Sequence, residues 1–353
     1  MEHQKIFTLS RILSLILLAL LIVTAITFNI NKPRIMILHS YHPDYAWTRD
    51  VNVGLNRIAK TWNNYSLIWH HMDTKKHNDP EWLTKAGLVA RRAIDKWEPH
   101  VLIAVDDYAQ KLAAKFYVDD PSISIVFAGV NGSIEPYGYV GAKNVTGILE
   151  RRQLGALKET LLSLKQVGKV DTLESKKNLR LFYLMDPSVS VKRNQKAIEE
   201  YAWKPLQYAG SKVAKNYEQW QQIIQELEGQ VDYVVLANYR KLPRSSTDKT
   251  FVPPKEVMSW TEQNAIMPVI GLNVFNVEDG AMLSVGVSPY EQGEVAAKMA
   301  EKIINKKIQA NQIPVESSQQ FIIAMRESDV NKRQLIVPSI YEAFSRATAT
   351  YYD

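Results

Sequence analysis

No cysteine occurs among the 353 residues. That absence excludes disulfides, thiolate metal sites, a cysteine nucleophile and a lipid anchor on cysteine, so any metal site would need His, Asp or Glu. Long lysine or arginine runs are also absent: 43 basic and 37 acidic residues leave a net charge of +6 spread along the chain. Nothing in that distribution asks for a nucleic-acid partner, and none is expected. The patterns GxSxG, HExxH, GxxxxGK[ST] and GxGxxG are missing too. With them go the usual signatures of serine hydrolases, zinc proteases, P-loop enzymes and dinucleotide binders. The expectation is a protein that is not an enzyme, with no cofactor, no metal and no catalytic residue.

A long apolar run occurs once, from Ile12 to Ile30, behind the basic residues Lys5 and Arg11. About 20 residues suffice to span a bilayer as a helix. Two readings stay open. In one the helix is an uncleaved anchor with its basic flank in the cytoplasm. In the other it is a secretory signal cut after Ala25, with Val23-Thr24-Ala25 at the cleavage positions. Both export residues 34–353, so the expected location is periplasmic or extracytoplasmic, either free or tethered to the inner membrane by the N-terminal helix.

The exported part has ordinary globular composition, 46% hydrophobic and 23% charged, and its length predicts two or more lobes at roughly 100–150 residues each. Arg34 to Leu38 reads as a buried strand ending in His39-Ser40-Tyr41-His42-Pro43-Asp44. Val51, Leu55, Ile58 and Trp62 recur at helical spacing from a start near Thr48. Asp79-Pro80 is an N-cap followed by proline at the first helical position, and Leu83, Ala86, Ala90, Ile94 and Trp97 form the stripe of that helix. Val101–Val105 predicts a strand ending in Asp106-Asp107-Tyr108, with a helix over 109–116 behind it, and Ile123–Phe127 a strand ending in Gly129-Val130-Asn131-Gly132. The order then recurs. Predicted strands over 179–185, 231–237 and 268–272 end in Asp186-Pro187-Ser188, Asn238-Tyr239-Arg240 and Asn273, each about 140 residues after its counterpart. Strand–helix alternation implies parallel sheets with helices on both faces, and two such sheets facing each other hold a ligand at the carboxyl ends of their strands.

Several of these segments resemble a known family. Residues 35–43, Ile-Met-Ile-Leu-His-Ser-Tyr-His-Pro, resemble the first strand and loop of substrate-binding proteins of ABC transporters. Phe127-Ala128-Gly129-Val130-Asn131 resembles their third strand, and Asn144-Val145-Thr146-Gly147 their crossing into the second lobe. Residues 284–293, Ser-Val-Gly-Val-Ser-Pro-Tyr-Glu-Gln-Gly, with Ala296-Ala297 behind them, resemble the return to the first lobe. The resemblance covers residues 34–338. It implies the α/β fold of type I periplasmic binding proteins, two Rossmann-like lobes with parallel sheets joined by a multi-strand hinge. The same module serves as the outer sensing part of bacterial signalling proteins, which the His-Ser-Tyr-His-Pro loop also resembles. The expected division is 1–30 for the apolar helix, 34–147 plus 286–310 for lobe one and 148–285 plus 311–345 for lobe two. Hinge crossings are expected near Thr146–Gly147, Ser284–Gly286 and Gln320–Ile323.

Carried onto this chain, the resemblance implies ligand contacts from Ser40, Tyr41, Asp106, Asp107, Asn131, Asp186, Ser188, Asn238 and Asn273. The chain departs from the transporter pattern at Asp106-Asp107, where small uncharged residues are usual. Two carboxylates at a strand end should meet a cation. A basic group on the ligand would serve, leaving Arg240 for a ligand carboxylate, so an amino acid or related zwitterion is expected. An ABC permease is the first partner implied, and a membrane histidine kinase or diguanylate cyclase the alternative. A third reading, of another class, is a hydrolase using Asp106 or Asp107 as general acid or base. Of the remaining constellations, His70, His71, Asp73 and His77 match no strong metal spacing and the stretch His71 to Asp79 reads as a polar loop, while His39 and His42 flank the first strand end.

Overall fold

The computed structural model describes residues 2–30, 32–77, 79–167, 178–188 and 195–353. The apolar segment is helix α1 (Glu2–Ile30), and its aliphatic side chains from Ile12 to Ile26 are about half-exposed or more. Among the described residues no helix is long and apolar enough to cross a membrane.

The body behind α1 consists of two lobes with the same strand order. In the first, β1 (Arg34–His39), β2 (Ser66–His71), β3 (Val101–Val105), β4 (Ser124–Val130) and β5 (Val145–Leu149) form a parallel sheet in the order β5-β4-β3-β1-β2. After a two-residue strand, β6 (Lys165–Gln166), the second lobe has β7 (Arg180–Met185), β8 (Gln207–Val213), β9 (Tyr233–Leu236), β10 (Val269–Gly271) and β11 (Leu283–Val287) in the order β11-β10-β9-β7-β8. The repeat inferred from the polar strand ends is thus a repeat of topology, with β1, β3 and β4 matching β7, β9 and β10. The lobes differ at one sheet edge. A short strand, β12 (Glu316–Ser317), joins β5 in parallel, whereas β13 (Phe321–Arg326) joins β11 antiparallel. Glu316 and Ser317, which the sequence reading assigns to lobe two, therefore pair within the first sheet.

Both faces of each sheet are covered, as the near-continuous apolar strands require. Ile35 and Ile37 face Val51 and Leu55 of α2 (Ala46–Ala59), whereas Met36 and Leu38 face Ala86, Ala90 and Ile94 of α3 (Pro80–Trp97). Helix α3 starts as its sequence signature predicts: Asp79 Oδ1 accepts from the Trp82 amide at 2.8 Å and Pro80 is the first helical residue. Helix Pro289–Lys306 returns to lobe one and lies against α2 through Gly54 and Gly293. A Cβ at Gly54 would stand 2.1 Å from the Tyr290 carbonyl oxygen, and one at Gly293 2.1 Å from that of Val51.

One local difference matters for function. The helix expected over 109–116 is instead α4 (Asp106–Leu112), followed by a 3₁₀ turn over Ala114–Tyr117. Asp106 has φ 67°, in the left-handed region that a short polar side chain tolerates better than most. The chain thereby turns from β3 into α4 with no intervening loop, and both aspartates lie in the first helical turn, where the helix dipole favours carboxylates.

Candidate functional site

The carboxyl ends of the two sheets face each other across a cleft of about 90 Å³. Lobe one and the crossing out of it contribute Tyr41, Tyr45, Trp47, Lys75, Asp106, Asn131 and Glu150; lobe two contributes Arg152, Ala237, Asn238, Asn273 and Phe275. The lobes are in contact beside it. Arg49 of α2 reaches Glu278 of the second lobe at 3.5 Å, and Trp47 and Asp50 share a small cavity with Val274 and Phe275. A larger groove of about 750 Å³ lies elsewhere, lined among others by Tyr233, Ile266 and Arg333, and contains none of the strand ends just named.

Two buried carboxyl groups dominate the lobe-one wall. Asp106 Oδ1 accepts from the Trp47 indole Nε1 at 3.0 Å, while Oδ2 is buried with no hydrogen-bond partner. Burial raises its pKa well above the ordinary carboxylate value, with the neighbouring Glu150 and Asp107 adding to the rise and Lys75 and Trp47 opposing it. Glu150 is buried as well; burial raises its pKa, against the pull of Arg152 at 4.0 Å and a 3.0 Å hydrogen bond from Asn131 Nδ2. Gly129 makes room for Asp106. A Cβ there would lie 2.6 Å from Asp106 Oδ1, and the φ of 66° at Gly129 suits glycine.

The lobe-two wall is amide-rich and cationic. Asn273 caps the helix Val274–Glu278; its Nδ2 donates to the Ala237 carbonyl at 3.0 Å and its Oδ1 accepts from Arg152 Nη1 at 2.9 Å. Asn238 Oδ1 accepts from the amides of Tyr239 at 3.1 Å and Arg240 at 3.2 Å, forming the turn after β9. Four aromatic rings, Tyr41, Tyr45, Trp47 and Phe275, complete the lining.

The nine residues carried over from the resemblance therefore divide. Tyr41, Asp106, Asn131, Asn238 and Asn273 meet in the cleft. The other four hold the strand ends in shape. Ser40 Oγ donates to the Val105 carbonyl and accepts from the Ala109 amide, both at 2.8 Å, stitching β1 to the β3–α4 turn. Asp107 accepts from the Tyr137 hydroxyl at 2.6 Å and does not line the cleft, so Asp106 and Asp107 do not act there as a pair. Asp186 accepts from the amides of Ser188 and Lys241, each at 3.0 Å, and from the Ser188 hydroxyl. The expectation for Arg240 is overturned. Its guanidinium is committed to Asp279 at 2.8 Å and stacks on Phe275 at 4.1 Å, and Arg152 is the arginine that lines the cleft.

Sequence reasoning missed Tyr45, Trp47, Lys75, Glu150, Arg152 and Phe275. Glu150 and Arg152 follow the recognised crossing Val145–Gly147, and Phe275 follows Asn273 by two positions, so a wider window around each strand end would have reached them. Lys75 had no such signal, since β2 is a half-exposed edge strand, SLIWHH, without clean alternation. In and beside the histidine stretch, Asp73 lies 3.3 Å from His42 Nδ1 and 3.9 Å from His77 Nε2. Among the described residues no group of three or more His, Asp or Glu is placed to hold a metal ion.

Comparison with known proteins places these observations. Residues 195–340 match the family described as ABC transporter substrate binding protein. No curated protein matches the sequence. Among solved structures, a conserved domain protein from Vibrio cholerae is similar at TM-score 0.61 and 15% identity, covering 92% of this chain and 100% of its own. The ligand-free, open structure of a substrate binding protein with adhesive properties from Clostridium difficile gives TM-score 0.63 at 19% identity, covering 87% and 96%. The ABC domain in complex with L-Trp from Streptococcus pneumonia gives 0.59 at 14%, covering 89% and 98%. At these identities the likeness is one of fold, the two-lobed α/β fold of type I periplasmic binding proteins.

Proposed function

We propose that this chain, with the substrate-binding pattern over residues 195–340 and the two-lobed fold around it, is an extracytoplasmic solute-binding protein. It captures a small zwitterion, an amino acid or a close relative, between its lobes. The observation carrying this reading is the charge layout of the cleft. Asp106 and Glu150 lie on one wall and Arg152 among side-chain amides on the other, with four aromatic rings between. An ammonium group suits the first wall, a carboxylate the second, and an apolar or aromatic body the rings. The Streptococcus relative is in complex with L-Trp, a ligand of that kind. Mass spectrometry of small molecules released from the purified full-length chain tests the proposal, the expected result being an amine-bearing carboxylic acid. A neutral sugar would replace this ligand class, and no small molecule in any preparation or thermal-shift screen would remove the reading.

Closure of the lobes on the solute is the signal a partner would read, and an ABC permease is the first partner proposed. The alternative is a membrane sensor. That alternative requires α1 (Glu2–Ile30) to be kept, three residues ahead of β1 at Arg34. Fractionation decides whether α1 is kept: a chain that sediments with membranes and begins near Met1 supports a tethered receptor. A soluble chain beginning at Ile26 supports a cleaved signal and a diffusing transport protein.

A further inference from the structure

Lys75 is placed unlike the other cations in and around the cleft. It stands on the loop after β2, lines the site, and holds its ammonium 5.0 Å from the Tyr41 ring centroid and 5.2 Å from that of Tyr45. Those rings meet edge to face at 5.3 Å, giving a corner with two aromatic surfaces. Arg152, Arg240 and Arg49 each have a carboxylate partner. Among the described residues, Lys75 has no carboxylate within salt-bridge distance and no hydrogen bond, although Asp106 Oδ2 stands unpartnered in the same cleft. Burial lowers the pKa of Lys241 on the second lobe, and the like charge of Lys75 adds to the fall. A lysine held by two ring faces and the longer-range pull of Asp106, near a like charge, is weakly bound: its ring contacts contribute about 0.5–2 kcal/mol.

We propose that Lys75 is a displaceable internal occupant of the ammonium subsite, and that the solute's own ammonium group replaces it in the corner formed by Tyr41, Tyr45, Trp47 and Asp106. This rests on the solute-binding reading above and adds the position and class of the recognised group. With the solute seated, its ammonium has the two tyrosine faces and the open Asp106 oxygen, while Lys75 returns to water along its flexible stem. Lys75 then sets selectivity. A neutral or anionic solute cannot replace a cation in an aromatic corner, so only cationic groups compete for it.

The test titrates tetramethylammonium chloride into the full-length chain by calorimetry, with tert-butanol as the neutral probe of matching shape. Lys75→Met empties the corner and keeps the apolar stem. Its expected effect is roughly a tenfold gain in tetramethylammonium affinity over the parent, the equivalent of one removed cation–π competitor. The tert-butanol affinity should stay unchanged. Adding Asp106→Asn or Tyr45→Ala to Lys75→Met should cancel the gain, with melting curves confirming that each variant folds. Equal tetramethylammonium affinity in parent and Lys75→Met, or a gain shared by tert-butanol, overturns the assignment. A co-purifying solute with no cationic group would overturn it too, while leaving the chain a solute-binding protein.

Discussion

Replacing Asp106 by Asn should weaken solute binding and stabilise the empty protein at the same time. Asn tolerates the left-handed backbone at this position and can still accept from the Trp47 indole, so the perturbation is confined to charge. An unpaired buried carboxylate costs several kcal/mol. The Trp47 hydrogen bond returns about 1.5–3 kcal/mol of that, and Lys75 somewhat more. A net cost is left, in keeping with the raised pKa, and each kcal/mol of it is worth about 2 °C in Tm for a chain of this size. Burial raises the folded pKa above the ordinary 3.8. The cost is therefore absent below that value and grows as pH rises through the folded pKa. Asp106→Asn should melt higher than the parent at pH 7 and at the same temperature near pH 3. Affinity for the co-purified solute should fall about tenfold or more, equivalent to ~1.4 kcal/mol. Asp107→Asn is the internal control. It weakens the 2.6 Å bond from Tyr137, should lose about 1 kcal/mol of stability, and should leave affinity unchanged. Paired calorimetric titration and melting at both pH values decide. A lower Tm for Asp106→Asn at pH 7 with unchanged affinity would refute the reasoning, because Asp106 would then be a structural carboxylate like its neighbour.

Three further outcomes are expected. Gly54→Ala or Gly293→Ala drives a Cβ to 2.1 Å from a carbonyl oxygen of the facing helix; each should cost about 3 kcal/mol or more, read as a lower denaturant midpoint, and an unchanged midpoint would mean that α2 and its partner helix are not held at that distance. His39 is buried, stacked 5.1 Å from His71, and its pKa is pushed down to about 3 by burial first and His71 second. The native state therefore loses stability as pH falls from 6.5 towards 3, by a few kcal/mol; His39→Phe should flatten that limb of a stability–pH profile, and a limb of unchanged slope would assign it to other groups. Arg152→Gln should lower affinity for a carboxylate-bearing solute about tenfold while sparing tetramethylammonium, and equal losses for both would point to a collapsed cleft.

The buried strands, their amphipathic helices, the internal repeat and the polar strand ends were legible in the residues themselves, whereas the edge strands β2 and β8 were not. Buried strands are apolar throughout and their helices carry a 3.6-residue stripe, so Val101–Val105 and the helix opened by Asp79-Pro80 announce themselves locally. The matching of Ser40, Asp106 and Asn131 with Asp186, Asn238 and Asn273 predicted two lobes of similar design, because a polar residue ending an apolar run marks where a strand leaves the sheet; their shared strand order came from the structure. What tertiary structure alone decided is which polar group faces the cleft. Adjacent aspartates carry identical local signals, yet the left-handed turn at Asp106 aims one at Trp47 and leaves the other to Tyr137. Arg240 reads like a free cation until Asp279, far along the chain, claims it. Lys75 reads like loop charge until Tyr41 and Tyr45 are brought beneath it. Burial and pairing are properties of three-dimensional neighbours, and those neighbours come from strands and crossings tens to hundreds of residues apart.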